Sequence, residues 1–246
     1  METNRPALLL TNDDGIDAPG LAALVRAIDG LGDSHAIVAP ADPQSGCGHR
    51  VTTHATIASD HRSDGIAVQG TPADCVRLGL HLLAPKSTWV IAGINAGGNL
   101  GTDIHHSGTV AAVREGVIRG IPGIAVSHYI ARGRAIDWDR AAARARGVIA
   151  RLLELPCPAG AFWNINLPHP PADAPEPEVV FCPVDPSPLP LDFRHEPEGL
   201  IYSGDYQRRE RVAGFDVDVC FSGKIAVSLV QVTCSLDPSC VPGLGG

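Results

Sequence analysis

The sequence of 246 residues has few aromatic side chains, little positive charge and no long apolar run. Aromatic residues make up 4% while hydrophobic residues make up 44%, so aliphatic side chains must form the core. The formal net charge of -8 argues against a nucleic-acid polymer as partner, because contact with a phosphate backbone needs a basic face. A small anion can still bind locally.

Paired cysteine motifs and targeting segments are also missing. No CxxC pair occurs, and we expect reduced thiols at all seven cysteines, which are Cys47, Cys75, Cys157, Cys182, Cys220, Cys234 and Cys240. Glu2 and Arg5 precede an apolar run too short for a signal peptide, and no later run approaches the length needed to span a membrane. We therefore expect a cytoplasmic protein.

Short apolar strands alternate with helical patterns along the first two thirds of the chain. Strands are predicted over residues 7–11, 35–39, 89–92, 123–127 and 162–167, with a side hairpin from 51–57 and 66–69. Helices are predicted over residues 19–28, 71–83, 108–119 and 138–155, with residues 93–107 as a long loop between strand and helix. This alternation predicts an α/β fold with a doubly wound, mostly parallel, Rossmann-like sheet.

Prolines become dense from residue 168 to residue 197, which excludes helix interiors and central strands there. We predict a catalytic core over residues 1–167, followed over residues 168–246 by an extended arm, a hairpin and a tail. An arm that crosses a neighbouring subunit would make the protein an oligomer, and a simple linker is the alternative. A strand over residues 225–230 is expected to return to the core, and the tail from residue 238 is expected to be mobile.

The first strand ends at two adjacent carboxylates, Asp13 and Asp14. Adjacent carboxylates repel each other, so a fold that holds both in a turn needs a compensating cation or several hydrogen bonds. The other interpretation is that they form a turn and cap the next helix. In a doubly wound sheet, Ser45 and Asn95 should reach the same edge. Hard oxygen donors of these kinds suit Mg²⁺ or Mn²⁺ and not a zinc site built from His and Cys.

A loop rich in Gly and Asn, residues 93–103, leads through Ser107 and Gly108 into a helix. Free amides and small hydroxyl side chains at a helix N-terminus form an anion site, so a phosphate is expected there, facing the metal. Turns and capping alone would also explain the glycines. The loop matches neither G-x-x-x-x-G-K-[ST] nor G-x-G-x-x-G, which argues against a P-loop NTPase and a dinucleotide site.

Several segments of the first 127 residues strongly resemble the SurE survival-protein nucleotidases, in matching order and at compatible spacing. They are residues 10–20 (LTNDDGIDAPG), 39–40 (AP), 44–46 (QSG), 70–76 (GTPADCV) and 93–110 (GIN through SGTV). Beyond the first 127 residues, the carboxy-terminal third matches more loosely. In the family this region forms exchanged arms and hairpins in dimers or tetramers.

The resemblance implies a metal-dependent phosphatase that hydrolyses nucleoside 5′- and 3′-monophosphates and sometimes short polyphosphate. It implies one divalent ion per subunit, held by Asp13, Asp14, Ser45 and Asn95, with the catalytic role falling on Asp13 and Asp14. It places near the phosphate the residues Asn12, Asn99, Ser107, Gly108 and Thr109.

Two positions differ from the family pattern. His106 stands where Tyr is usual, and Asp42 with Pro43 replaces a more basic segment before Ser45. Substrate preference is therefore less well determined than reaction class.

The mechanism hypothesis is in-line attack on phosphorus by a water whose pKa a divalent ion lowers, with Asp13 or Asp14 also able to accept a proton. No general acid is identified; His49, His105 and His106 are candidates, because they lie near the predicted site in sequence and histidine is the side chain whose ordinary pKa is nearest neutral pH. Two alternatives are a phosphoaspartyl enzyme with Asp13 as nucleophile and a non-catalytic nucleotide or anion sensor.

Overall fold

The computed structural model describes residues 5–233 and contains a nine-stranded sheet, a separate hairpin and five α-helices in that range. The helices are α1 (Pro19–Ile28), α2 (Pro72–Leu78), α3 (Gly108–Ile118), α4 (Trp138–Glu154) and α5 (Asp216–Phe221). The strands are β1 (Ala7–Thr11), β2 (Ser34–Pro40), β3 (Ser59–His61), β4 (Ile66–Val68), β5 (Trp89–Ala96), β6 (Gly123–His128), β7 (Ala161–Leu167), β8 (Val179–Phe181), β9 (Phe193–Glu196), β10 (Gly199–Tyr202) and β11 (Ile225–Gln231).

The main sheet has the strand order β3-β4-β2-β1-β5-β6-β7-β11-β8. Its central strands from β4 to β7 pair in parallel, while β3 and β11 each run antiparallel to a neighbour. From β1 the chain continues to one side through β2 and later to the other side through β5. The doubly wound, mostly parallel α/β sheet predicted from sequence is confirmed.

Helices cover both faces of the sheet and bury aliphatic side chains there. On one face α1 and α4 pack against β1, β5 and β6, with residues such as Leu24 and Ile149 fully buried. On the other face α2 and α3 pack against the same sheet, where Val76 and Val113 are buried. Strands that are covered on both sides read as continuous apolar runs, which is the pattern of residues 8–10.

The side hairpin does not form where the sequence predicted it. Its first strand is β3 rather than residues 51–57, and its second strand β4 also pairs in parallel with β2. Thr52 explains part of the difference, because its amide and its hydroxyl both donate to the buried carboxylate of Asp74, at 2.9 and 2.8 Å. A backbone bound to a side chain in this way is not available for strand pairing.

Two other elements differ from the predictions. The predicted loop from residue 93 begins later, because β5 continues to Ala96 with a register shift against β6 between Ala92 and Asn95. Helix α5 was not predicted, since it has only six residues and two of them are Asp. The strand expected over residues 225–230 is present as β11, which pairs with β7 and β8. The predicted mobile tail lies outside the described residues.

Helix α2 begins with the capping box that its sequence predicts. The Thr71 hydroxyl accepts from the amide of Asp74, and the Asp74 carboxylate accepts from the amide of Thr71. The last predicted turns form a wider π-type turn, Gly79–Leu83, after the α-helix ends at Leu78. Asp74 thus connects the start of α2 to the segment around Thr52.

No helix in the range 5–233 is both long enough and apolar enough to cross a membrane.

We predict that Thr71→Ala lowers the free energy of unfolding by about 1 to 2 kcal/mol, because a helix N-cap is lost where its partners are buried. Chemical denaturation of the two proteins measures this difference. Thr56→Ala is the matched control, since Thr56 is exposed and its removal should change stability little. Equal effects of the two substitutions would contradict the capping role.

Candidate active site

Strand β1 lies between β2 and β5, and the strand order reverses beside it. Ligands of doubly wound sheets bind at the carboxyl ends of the strands at such a switch point. Asp13 and Asp14 follow β1 directly, while Asn95 is the penultimate residue of β5. Asp13, Asp14 and Asn95 therefore lie at the ends of the two neighbouring strands β1 and β5, at the switch point.

Asp13 is buried at the N-terminus of α3. One of its carboxylate oxygens accepts a hydrogen bond from the hydroxyl of the fully buried Thr109. Gly108 lets the carboxylate approach the helix, because a Cβ there would lie 2.8 Å from the Asp13 Cβ and 2.9 Å from Oδ2. Burial raises the pKa of Asp13, and Thr109 lowers it by a smaller amount. The carboxylate is thus held at the positive end of a helix, yet it binds a proton more tightly than usual.

Asp14 is only partly buried and contacts the end of β5. Its Oδ2 accepts a hydrogen bond from the backbone amide of Ala96 at 3.1 Å. Because Ala96 follows Asn95 in the chain, the Asp14 carboxylate lies beside the end of β5 that carries Asn95. Asn95 donates its own side-chain amide to the carbonyl of Gly97 at 2.8 Å. Its side-chain oxygen is therefore left for another partner.

The segment that carries Ser45 is bound to the same edge through its backbone. The amide of Gln44 donates to the Asp13 carbonyl at 2.7 Å, and the amide of Gly48 donates to the His106 carbonyl at 3.1 Å. Ser45 itself is exposed. Hydrogen bonds thus connect the segments that carry Asp13, Asp14, Ser45 and Asn95.

Ser107 is the N-cap of α3, and its hydroxyl accepts from the amide of Val110 at 3.0 Å. Capping by Ser107 uses one of the free amides of the first turn, and the Asp13 carboxylate lies against Gly108 and Thr109. Asn12 is buried behind this turn and donates to the Gly15 carbonyl at 2.7 Å. That any of these residues binds phosphate stays a prediction.

Asn99 is buried in a network of amide side chains below the glycine-rich loop. Its backbone amide donates to Asn166 Oδ1 at 2.8 Å, and its side-chain amide donates to the Ser127 hydroxyl at 2.7 Å. Its carbonyl accepts from Asn164 and Asn166. These bonds attach the loop to β6 and β7, while the predicted contact of Asn99 with phosphate stays untested.

The most substantial feature that sequence reasoning missed is a buried arginine, Arg209. It donates to Asp103 Oδ2 at 3.0 Å and to the Leu100 carbonyl at 3.2 Å, and its exposed fraction is 2%. Tyr206 also donates to Asp103. Asp103 accepts from the amide of Leu100 as well, so it both caps the short 3₁₀ turn and binds the C-terminal segment. No motif around residue 209 indicates this role.

The three histidines near the site in sequence differ in their surroundings. His49 lies 2.9 Å from the buried carboxylate of Glu115 on α3, whereas His105 and His106 are exposed. Burial raises the pKa of Glu115, but the hydrogen bonds from His49 and Arg119 outweigh burial and hold that pKa below its ordinary value. His49 therefore joins the Ser45 segment to α3.

The oxygen donors at this edge fit a hard divalent cation. Two carboxylates lie side by side, and the nearby Asn12 Oδ1 is buried without a hydrogen-bond partner. Within residues 5–233 no group of three or more His, Cys, Asp or Glu side chains could hold a metal. A cation here would consequently need Ser and Asn oxygens besides the two aspartates, which is the donor chemistry of Mg²⁺ and Mn²⁺.

A cleft of about 490 Å³ opens beside Asp14. Its lining includes Pro43, Ala96 and Trp138, so most of its surface is apolar around the two carboxylates of Asp14 and Asp17. Such a combination suits the flat, partly apolar body of a small ligand whose charged end faces the aspartates.

Comparison with known proteins identifies relatives of the whole chain. The family model "Survival protein SurE" matches residues 8–184. A putative 5′-nucleotidase of Synechocystis is 51% identical over 91% of this chain and 99% of its own length. A 5′-nucleotidase SurE of Beijerinckia indica is 36% identical over 94% and 93%. The crystal structure of the Aquifex aeolicus SurE protein superposes with a TM-score of 0.81 at 30% identity, over 94% of this chain and 95% of that one.

We predict that Asp13→Asn raises the melting temperature of the metal-free protein at neutral pH. A carboxyl group whose pKa is raised on folding destabilises the fold as pH rises from its ordinary pKa through the raised value. Asn removes this charge and keeps an oxygen for the Thr109 hydroxyl. The gain should shrink as pH falls toward the ordinary pKa of Asp, which thermal unfolding in EDTA at several pH values measures.

Asp42→Asn is the control, since Asp42 is exposed and lies in the neighbouring loop. It should leave the melting temperature nearly unchanged across the same pH range. A lower melting temperature for Asp13→Asn at neutral pH would show that the buried carboxylate stabilises this edge and would contradict the prediction.

Proposed function

Because this chain belongs to the SurE survival-protein family, we propose that it is a divalent-metal-dependent phosphomonoesterase that hydrolyses nucleoside 5′- and 3′-monophosphates to nucleoside and phosphate. The observation that carries the proposal is the pair Asp13 and Asp14 at the switch point, beside the N-terminus of α3. Relatives named 5′-nucleotidase match more than nine tenths of the chain and support the reaction class.

Asp13, Asp14, Ser45 and Asn95 would hold one divalent ion per subunit, with Mg²⁺ and Mn²⁺ as the best candidates. When bound, such an ion supplies charge neutralisation for phosphoryl oxygens and lowers the pKa of water. This role is supported by the repulsion between the two carboxylates, which raises the pKa of Asp13 and which a bound cation would offset. Asp14, the more accessible of the two, would also accept a proton from an attacking water.

The first turn of α3 would orient the phosphoryl group. The positive end of α3 lies beside the Asp13 carboxylate, so the helix dipole would also stabilise an oxyanion held at this edge. Thr109 keeps Asp13 in one position through its hydroxyl. A preorganised set of donors needs no rearrangement as charge is redistributed in the transition state.

The apolar cleft beside Asp14 would take the nucleoside. Its wall carries Pro43 at the position where the family pattern is more basic, which reduces electrostatic attraction for additional phosphates. This composition supports monophosphates as substrates. Positioning by the cleft instead of by base-specific polar contacts is also compatible with both 5′- and 3′-phosphates.

The phosphoaspartyl alternative has less support than hydrolysis by water. Asp13 would have to attack phosphorus, but its exposed fraction is 4% and one of its oxygens is held by Thr109. A nucleophile needs an accessible oxygen. The sensor alternative predicts binding without turnover, which the experiment below separates from catalysis.

An assembly of subunits is the second part of the proposal. The hairpin of β9 and β10 forms its own two-stranded sheet, and every residue in both strands is exposed. Four of the exposed side chains are large and apolar, namely Phe193, Leu200, Ile201 and Tyr202, and the exposed Leu191 lies just before β9. A two-stranded hairpin is at best marginally stable alone in water. We infer that this hairpin packs against another copy of the chain in a homodimer or homotetramer.

We predict that the protein releases phosphate from AMP, that EDTA abolishes release, and that Mg²⁺ or Mn²⁺ restores it. Asp14→Asn should lower the rate by more than about 100-fold, because it removes both a cation ligand and a proton acceptor. Phosphate release is followed colorimetrically, and circular dichroism checks the fold of the variant.

Asp64→Asn is the matched control, because Asp64 is exposed in the turn between β3 and β4. It should retain full activity. Turnover that survives both EDTA and Asp14→Asn would refute the metal mechanism, and AMP binding without phosphate release would favour the sensor.

We predict that Leu200→Asp dissociates the assembly, because a charge would be buried against a neighbouring subunit. Light scattering at micromolar concentration should show a smaller particle than for the unmodified protein. Leu82→Asp is the control, since Leu82 has the same exposed fraction, 63%, but lies outside the hairpin. A monomeric unmodified protein would contradict the inference.

A further inference from the structure

A second cleft, of about 420 Å³, opens between α4 and the segment that follows β7. It lies beyond the carboxyl ends of β6 and β7, two strands along the same sheet edge from the switch point. Most of its polar lining is basic or imidazole, and the residues that matter are His128, Arg134, Asp137, Arg140, Arg144 and His169. This arrangement stands out in a chain whose net charge is -8.

Two of the arginines already converge on a carboxylate of the chain itself. Arg144 Nε donates to Glu176 Oε2 at 2.9 Å, and Arg140 Nη2 and Arg144 Nη2 donate to Glu176 Oε1 at 3.2 and 3.3 Å. The Arg144 side chain is only 8% exposed, whereas that of Glu176 is 67% exposed. The two guanidinium groups are thus prearranged for an oxyanion, and their present partner can move into solvent at little cost.

The third arginine has no acidic partner among residues 5–233. Arg134 donates to the carbonyl of His169 at 2.9 Å, and its ion-pairing capacity is unused. The other acidic group that faces the cleft is Asp137, whose carboxylate accepts from the amides of Asp139 and Arg140 as the N-cap of α4. Three guanidinium groups therefore face two carboxylates, and one of these is already used in capping.

The imidazole of His169 is part of this basic lining. Its Nδ1 accepts from the amide of Ala131 at 3.2 Å, which leaves the proton of the neutral ring on Nε2. Burial lowers the pKa of His169, a backbone hydrogen bond with Ala135 raises it by a smaller amount, and the positive charges of Arg134 and Arg144 lower it.

We propose that this cleft binds a phosphate dianion through Arg134, Arg140 and Arg144. Planar guanidinium groups match the oxygens of a phosphate in pairs, and a dianion would neutralise charge that the chain leaves uncompensated. The site is separate from the candidate active site, because this cleft and the cleft beside Asp14 share no lining residue. The dianion is either free orthophosphate or the phosphate group of a nucleotide, and the proposal does not depend on hydrolysis.

The test follows the His169 imidazole signal by NMR in histidine-labelled protein, with EDTA present to leave the metal site unloaded. His169→Gln assigns the signal. Orthophosphate is titrated in one arm and a non-hydrolysable phosphonate analogue of AMP in the other. We expect a saturable shift of this signal in at least one arm, and the responding arm identifies the source of the phosphate group.

Arg134→Gln should weaken binding about tenfold, because it removes a charged donor from an exposed position without threatening the fold. Glu176→Gln should strengthen it, since the competing carboxylate loses its charge. Arg132→Gln is the matched control, because Arg132 lies two residues away, pairs with Asp205 and does not line the cleft. The proposal is overturned if neither probe shifts the His169 signal, or if Arg132→Gln weakens binding as much as Arg134→Gln.

Discussion

The burial of the Asp13 carboxylate against the first turn of α3 is the constraint on which the site depends. Its position requires a glycine at residue 108 and a hydroxyl at residue 109, and both are present. Helix α3 and strand β1 are thereby fixed relative to each other at the switch point. The raised pKa of Asp13 shows that the hydrogen bonds do not fully offset the cost of burying its charge. The proposed cation would offset this cost, which gives the buried carboxylate a role other than stabilising the fold.

Few additional contacts are needed to complete the site, because each neighbouring segment is attached to the two aspartates or to α3. The Gln44 amide contacts the Asp13 backbone, and the Ala96 amide contacts the Asp14 side chain. His49 contacts Glu115, which lies further along α3. Farther out, the buried Arg209 holds the glycine-rich loop through Asp103. The C-terminal segment thus stabilises a loop whose sequence alone would leave it free.

Local patterns predicted the parts of the fold that local chemistry determines. Strand β1 and helix α1 have the predicted bounds, because an apolar run and a proline at the first helical position are sufficient signals. The Thr71 capping box is a similar case. Sequence also singled out Asp13 and Asp14, since an apolar strand that ends in two carboxylates is unusual.

The rest depends on contacts between residues far apart in the chain. The segment 51–57 alternates like a strand, but Asp74 binds the Thr52 backbone and prevents pairing. Arg209 is 106 residues from its partner Asp103, and no periodicity reports such a pair. The basic cleft likewise combines α4 with residues beyond β7. Sequence reasoning therefore identified the aspartates and the neighbouring Thr109, and missed distant partners such as Arg209 that hold the surrounding loop in place.

The negative net charge predicts weak binding of anions, whereas the local positive charge of a site predicts binding of phosphate. Which effect is larger depends on the distance between the charges and the ligand. At physiological ionic strength exposed charges are screened beyond about 8 Å, so the overall charge of -8 has little influence inside a cleft. The net charge of -8 disfavours an extended polyanion. A single phosphate group needs only one helix terminus or three guanidinium groups within that distance. The N-terminus of α3 and the basic cleft would each supply such a local site, which would let an acidic protein bind small phosphate compounds in preference to nucleic-acid polymers.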